Sequence, residues 1–118
     1  MSKYLFVLSK GPEDPLRAAR CLGLAKMAVL RGHQVNVFLT DEAVRYAQFA
    51  DSQGPAGPGQ EEVAGLVRFL CGSPEGLMVC RRSAAGRLGG SAGLPTGVHM
   101  AHEMRLLDLA EECKLFTF

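Results

Sequence analysis

KYLFVLSKGPEDPLRAARCLGLAKMAVLRGHQVNVFL, residues 3–39, sets a long amphipathic stretch between two short apolar runs, and its reading decides the fold. Lys3 to Leu8 is continuously apolar after its first residue and is bounded by Ser9, Gly11 and Pro12, the pattern of a strand covered on both faces. From Asp14 to Arg31 the apolar residues Leu16, Ala19, Leu22, Ala25, Met27, Val29 and Leu30 recur with roughly helical spacing, while Arg17, Arg20 and Lys26 share the wetter side. Asp14 suits the N-cap, Pro15 the first turn and Gly32 the stop. Gln34 to Leu39 is a second strand, reached by a tight Gly32-His33 turn. Strand, helix and strand joined by such short links form a βαβ unit, which implies a parallel pair and a right-handed crossover.

The rest of the chain continues the alternation. Thr40 or Asp41 caps an element over 42–49, and Ser52 to Gln60, rich in Gly and Pro, is expected to be a mobile loop without regular structure. A helix over 61–71 precedes a third strand, Leu77 to Cys80. Ala84 and Ala85 suggest a short helix ending near Gly89-Gly90, followed by a strand around 97–100, a helix over 103–112 and a last strand over 114–118. The expectation is a single α/β domain over residues 1–118, with five strands in a mainly parallel sheet and about five helices.

Composition bounds the function. A chain of 118 residues that is 47% hydrophobic can bury one core but hardly two, and a formal net charge of +1 supplies no long-range field to favour nucleic acid or an anionic membrane. No apolar run approaches the roughly 20 residues that span a bilayer, and the start of the chain lacks a signal-peptide pattern, so a cytoplasmic protein is expected. The four cysteines, Cys21, Cys71, Cys80 and Cys113, are spread too widely for a zinc ribbon. His99 and His102, three apart, have no third ligand in view, and no metal site is expected. Ser9-Lys10-Gly11-Pro12 lacks the pattern of a phosphate-cradling P-loop. Asp41 and Glu42, adjacent at a helix start, read as a cap rather than as paired catalytic carboxylates.

In open parallel sheets ligands gather beyond the carboxyl ends of the strands. Three segments qualify: Ser9 to Asp14, Thr40 to Glu42 and Cys80 to Ser83. Only the third holds a strong nucleophile. If Arg81 begins a helix, the Cys80 sulfur faces unpaired amide hydrogens at the positive end of a helix dipole, with Arg81, Arg82 and Arg87 adding positive charge, and each factor favours thiolate over thiol. The alternative is that Cys80 merely ends a buried strand. Cys21, Cys71 and Cys113 read as packing residues.

Four features stand in order along the chain: Lys3 to Leu8 followed by Gly11-Pro12-Glu13-Asp14-Pro15; the run from Arg31 to Val44; Val79-Cys80 with Ala84 and Arg87 behind it; and a Phe-Thr-Phe end. Together they resemble the DsrE/DsrF-like family, which includes sulfur-relay subunits of the Tus and Dsr systems. The resemblance implies a flavodoxin-like three-layer fold and assembly into trimers or hexamers. It also implies a cysteine after the third strand that accepts sulfane sulfur as a persulfide from a donor protein and passes it to an acceptor. Cys80 matches that position, with Arg81 and Arg82 as electrostatic support, and with Gly11, Pro12, Asp14, Thr40, Asp41, Ser83 and Arg87 as binding or supporting residues. Neither metal nor organic cofactor is implied. Ser83 stands where many relatives have a second cysteine, so a local Cys-x-x-Cys disulfide is excluded. The competing reading is a non-catalytic module of the same fold that binds a small anion or nucleotide, or serves assembly.

Overall fold

A computed structural model of the chain describes residues 1–51, 54–88 and 93–118. Strand β1 (Lys3–Leu8) leads through α1 (Pro15–Leu30) to β2 (Gln34–Leu39). A 3-10 helix, Asp41–Ala50, and α2 (Gln60–Cys71) connect to β3 (Leu77–Cys80). Then follow α3 (Arg81–Arg87), β4 (Val98–Ala101), α4 (Glu103–Glu112) and β5 (Lys114–Thr117). All four strand pairs are parallel, in the order β4-β3-β2-β1-β5.

The first βαβ unit forms as its sequence predicts. Asp14 accepts the Arg17 amide proton at 3.2 Å, Pro15 occupies the first turn, and Gly32 ends the helix with φ +83, a left-handed conformation that costs a glycine little. His33 is a structural pin, because its Nδ1 accepts a hydrogen bond from the Ser2 amide at 3.0 Å and its ring meets Tyr4 edge-on.

Two expectations are corrected in detail. The element after β2 is a 3-10 helix, and Gln60, expected in a loop, instead opens α2 and is buried, its Nε2 donating to the Pro12 carbonyl at 3.0 Å. Ser52 and Gln53 of the expected loop, and the expected helix end at Gly89-Gly90, lie outside the described residues.

Connection handedness distributes the helices. Moving from β1 to β2, β3 and β4 the chain steps one way across the sheet, so right-handed crossovers place α1, α2 and α3 on one side. The return from β4 to β5 runs the other way and carries α4 to the opposite side. Parallel partners point alike and successive residues alternate. Tyr4, Phe6, Val37, Leu77 and Val79 therefore face α1 and α2, whereas Leu5, Asn36, Phe38, Met78 and Cys80 face the α4 side. The central strands are buried, but every residue from Lys114 to Thr117 on the edge strand β5 is exposed.

Candidate functional site

Beyond the carboxyl ends of β1, β2 and β3 the three segments expected from the sequence meet. Gly11 lies so close to the Glu42 carbonyl that a Cβ would collide with that backbone, so the glycine is required by close approach. The Ser83 hydroxyl accepts the Asp41 amide proton at 2.9 Å and pairs with the Thr40 hydroxyl at 3.3 Å. This ties the first turn of α3 to the end of β2, where Asp41 adopts φ 51. One turn later Arg87 donates to the Glu42 carboxylate and, at 3.3 Å, to the Ser83 carbonyl. Arg45 takes the other Glu42 oxygen at 2.9 Å. Arg87 and Arg45 together hold the Glu42 carboxyl below its ordinary range.

These contacts change the roles expected of several residues. Thr40, Asp41, Ser83 and Arg87 moor α3 to the 3-10 helix, and Arg87 spends its charge on Glu42. Pro12 accepts from Gln60, and Asp14 caps α1 and pairs with Arg17. Sequence reading did not single out Glu42 as the centre of this clamp. Its pairing with Arg45 was legible as an i,i+3 spacing on a helix, whereas that with Arg87 spans 45 positions and has no local signal.

Cys80 occupies the N-cap of α3, with φ -63 and ψ 122, at the junction that the sequence predicts. Its surroundings differ from the expected open cleft: the residue is 3% exposed and belongs to the apolar core. Arg81 and Arg82 follow it on the exposed surface, where Arg82 pairs with Glu103 at 3.5 Å and Arg81 makes no ion pair among the described residues. A recess of about 280 Å³ is lined by Arg81, Arg82, Ala85, His102 and Glu103, but not by Cys80. The basic patch and the thiol are thus adjacent in sequence and separated by packing.

The other cysteines sit in settings that suppress reactivity. Burial pushes the Cys21 thiol up to about 12, and burial with the nearby Asp51 charge pushes Cys71 up to about 11. Cys113 is also raised, by desolvation first and then by Glu112. All four are free thiols. Among the described residues no three His, Cys, Asp or Glu side chains are grouped to hold a metal ion, and no helix is long and apolar enough to cross a membrane.

A sequence profile of the DsrE/DsrF-like family matches residues 2–118, from the first strand through the last. The chain belongs to the DsrE/DsrF-like family. The crystal structure of the YchN protein from E. coli matches with a TM-score of 0.76 over the whole of both chains, at 19% sequence identity. At that identity the likeness establishes the three-layer α/β fold alone. No curated protein matched by sequence. Membership of the DsrE/DsrF-like family connects the chain with proteins that typically work in sulfur relay, and the thiol at the end of β3 is the group to weigh against that chemistry.

Proposed function

We propose that this protein is a sulfur carrier in which Cys80 accepts sulfane sulfur as a persulfide and hands it to a partner protein. The observation that carries the reading is the placement of Cys80 at the β3–α3 junction, next to two exposed arginines, in a chain of the DsrE/DsrF-like family. The step balances without an external oxidant. The Cys80 thiolate attacks the outer sulfur of a donor persulfide, a new S–S bond forms on Sγ as the donor's S–S bond breaks, and the donor leaves as a thiolate. Discharge repeats the exchange with the acceptor thiolate as nucleophile.

Burial sets a condition on this chemistry. At 3% exposure Sγ meets no donor until the junction opens, so the moorings of α3 to Thr40, Asp41 and Glu42 control access. Arg81 and Arg82 then stabilise the anion that opening uncovers. The same burial favours a second reading, in which Cys80 only packs the core and the protein is a non-catalytic small-anion or nucleotide-binding or assembly module.

Homo-oligomerisation as a trimer or hexamer belongs to the proposal and is supported by exposed apolar surface. Leu115 and Phe116 are exposed on edge strand β5, and Leu24 and Met27 of α1 line an apolar recess with Phe116. Light scattering tests this point, and a stable monomer throughout the micromolar range would contradict it.

Intact-mass measurement after incubation with a persulfide donor separates the two functional readings. The carrier gains one sulfur in the wild type and none in Cys80→Ser. Equal uptake by both proteins, or none by either with a donor that charges a known carrier, rejects the relay.

A further inference from the structure

On the α4 side of the sheet, beyond the shelter of that helix, lies an open groove of about 470 Å³. Its wall and floor include Asn36 of β2, Met78 of β3, Met100 and Ala101 of β4, and its rim carries His99, His102 and Arg105. The groove owes its form to topology. Because only β4–α4–β5 crosses this face, one helix packs against its β1 side, and the groove lies beside that helix along β3 and β4.

Asn36 makes this more than a surface depression. The residue is 2% exposed and lines the groove, yet its Nδ2 has no hydrogen-bond partner. The amide faces the Cys113 sulfur, a weak acceptor, and favours the thiolate there, but no oxygen or nitrogen acceptor pairs with it. A buried amide donor left unpaired costs about 1–3 kcal/mol, which a ligand acceptor would recover. The Arg105 guanidinium, donor only, faces the groove as well, with the imidazoles of His99 and His102, each able to donate from one ring nitrogen. Glu75, beside Pro74 at the edge, is the only carboxylate among the described lining residues.

We propose that this groove binds a small organic carboxylate, with the carboxylate on Arg105 and on the Asn36 amide as it turns outward, and the apolar body on Met78 and Ala101, which share this face of the sheet. A planar carboxylate matches the guanidinium fork. One permanent cation opposed by Glu75 suits a monoanion better than a phosphate dianion, and the methionine and alanine floor suits a short hydrocarbon chain. The site is independent of Cys80, which does not line it, and stands whether or not the sulfur-carrier reading does.

The test is an amide NMR titration of the full chain with butyrate, acetate and inorganic phosphate. Butyrate shifts the amides of Asn36, Met78 and residues 100–105 saturably, and more tightly than acetate or phosphate. Arg105→Ala, a change at an exposed position, weakens butyrate roughly tenfold through loss of a charge-assisted pair. Asn36→Leu, which keeps the volume, weakens it as well, and Cys80→Ser leaves it unchanged. The proposal is overturned by phosphate binding as tightly as butyrate, by equal affinity in Arg105→Ala, or by no saturable shift with any of the three probes.

Discussion

Met78 and Cys80 lie two residues apart on one strand and point to the same side of the sheet, yet they serve opposite environments. Around Cys80 the polar groups are mutually satisfied: Ser83 with Thr40 and Asp41, and Arg87 with Glu42. Met78, though itself buried, lines an open groove, and a buried amide beside it has no partner. A closed site whose neighbours are paired is suited to protecting a reactive atom until something opens it. An open groove over an unpaired buried amide is suited to receiving a ligand with only a small side-chain adjustment. The nucleophile and the ready-made cavity of this protein therefore occupy different places.

The largest expected effect comes from undoing the closure. Ser83→Ala removes the acceptor of the Asp41 amide and the partner of the Thr40 hydroxyl, and should destabilise the fold by about 1–2 kcal/mol. If α3 gates Cys80, alkylation of Cys80 rises about tenfold in this variant, while that of Cys71 is unaltered. Equal acceleration at both cysteines would mean global unfolding, and the distinction between a gated and a merely buried thiol would be lost. Urea titration read beside the alkylation rates makes this comparison.

A smaller effect, of opposite sign, is expected at the open site. Asn36→Leu replaces an unpaired buried amide by an apolar group of similar volume, and should raise stability by about 1 kcal/mol. Loss of stability in that variant would mean that the amide is already satisfied, and the contrast between the two regions would fail.

The smallest effect is electrostatic and sharpens the account of the mooring. Because Arg87 and Arg45 lower the Glu42 carboxyl in the folded protein, the folded state binds fewer protons there than the unfolded chain does. The stabilisation is present in full above the unfolded value, near about 4.3, and is lost as pH falls through the lower folded value. Glu42→Gln should flatten that part of the urea midpoint's pH profile. A variant profile parallel to the wild type would remove Glu42 from the clamp.

The sequence carried much of this architecture, because its signals were local. The Asp14 cap, Pro15 and Gly32 bracket α1 within a single stretch, and apolar runs of strand length identify β1, β2 and β3. The junction holding Cys80 was legible for the same reason. The burial of Cys80 was not, since it depends on packing among segments remote in the chain, and the convergence of Gly11, Thr40 and Ser83 says nothing by itself about exposure. Asn36 gave no warning either. A polar residue alternating with Val35 and Val37 looks like a solvent-facing strand position, and only the tertiary fold shows it to be covered. His99 and His102 are a pair in sequence, but the groove they share also takes Asn36 from β2, 63 positions before His99, which no local signal connects to them.

The central claim is that Cys80 is a gated sulfur acceptor, and site-resolved mapping of persulfide after brief exposure of the native protein to a donor tests it most directly. The account predicts the added sulfur on Cys80, absent from Cys21 and Cys71, and arriving faster in Ser83→Ala. Sulfur found on Cys71 or Cys113 in its place, or on Cys80 only once the whole protein unfolds, would contradict it.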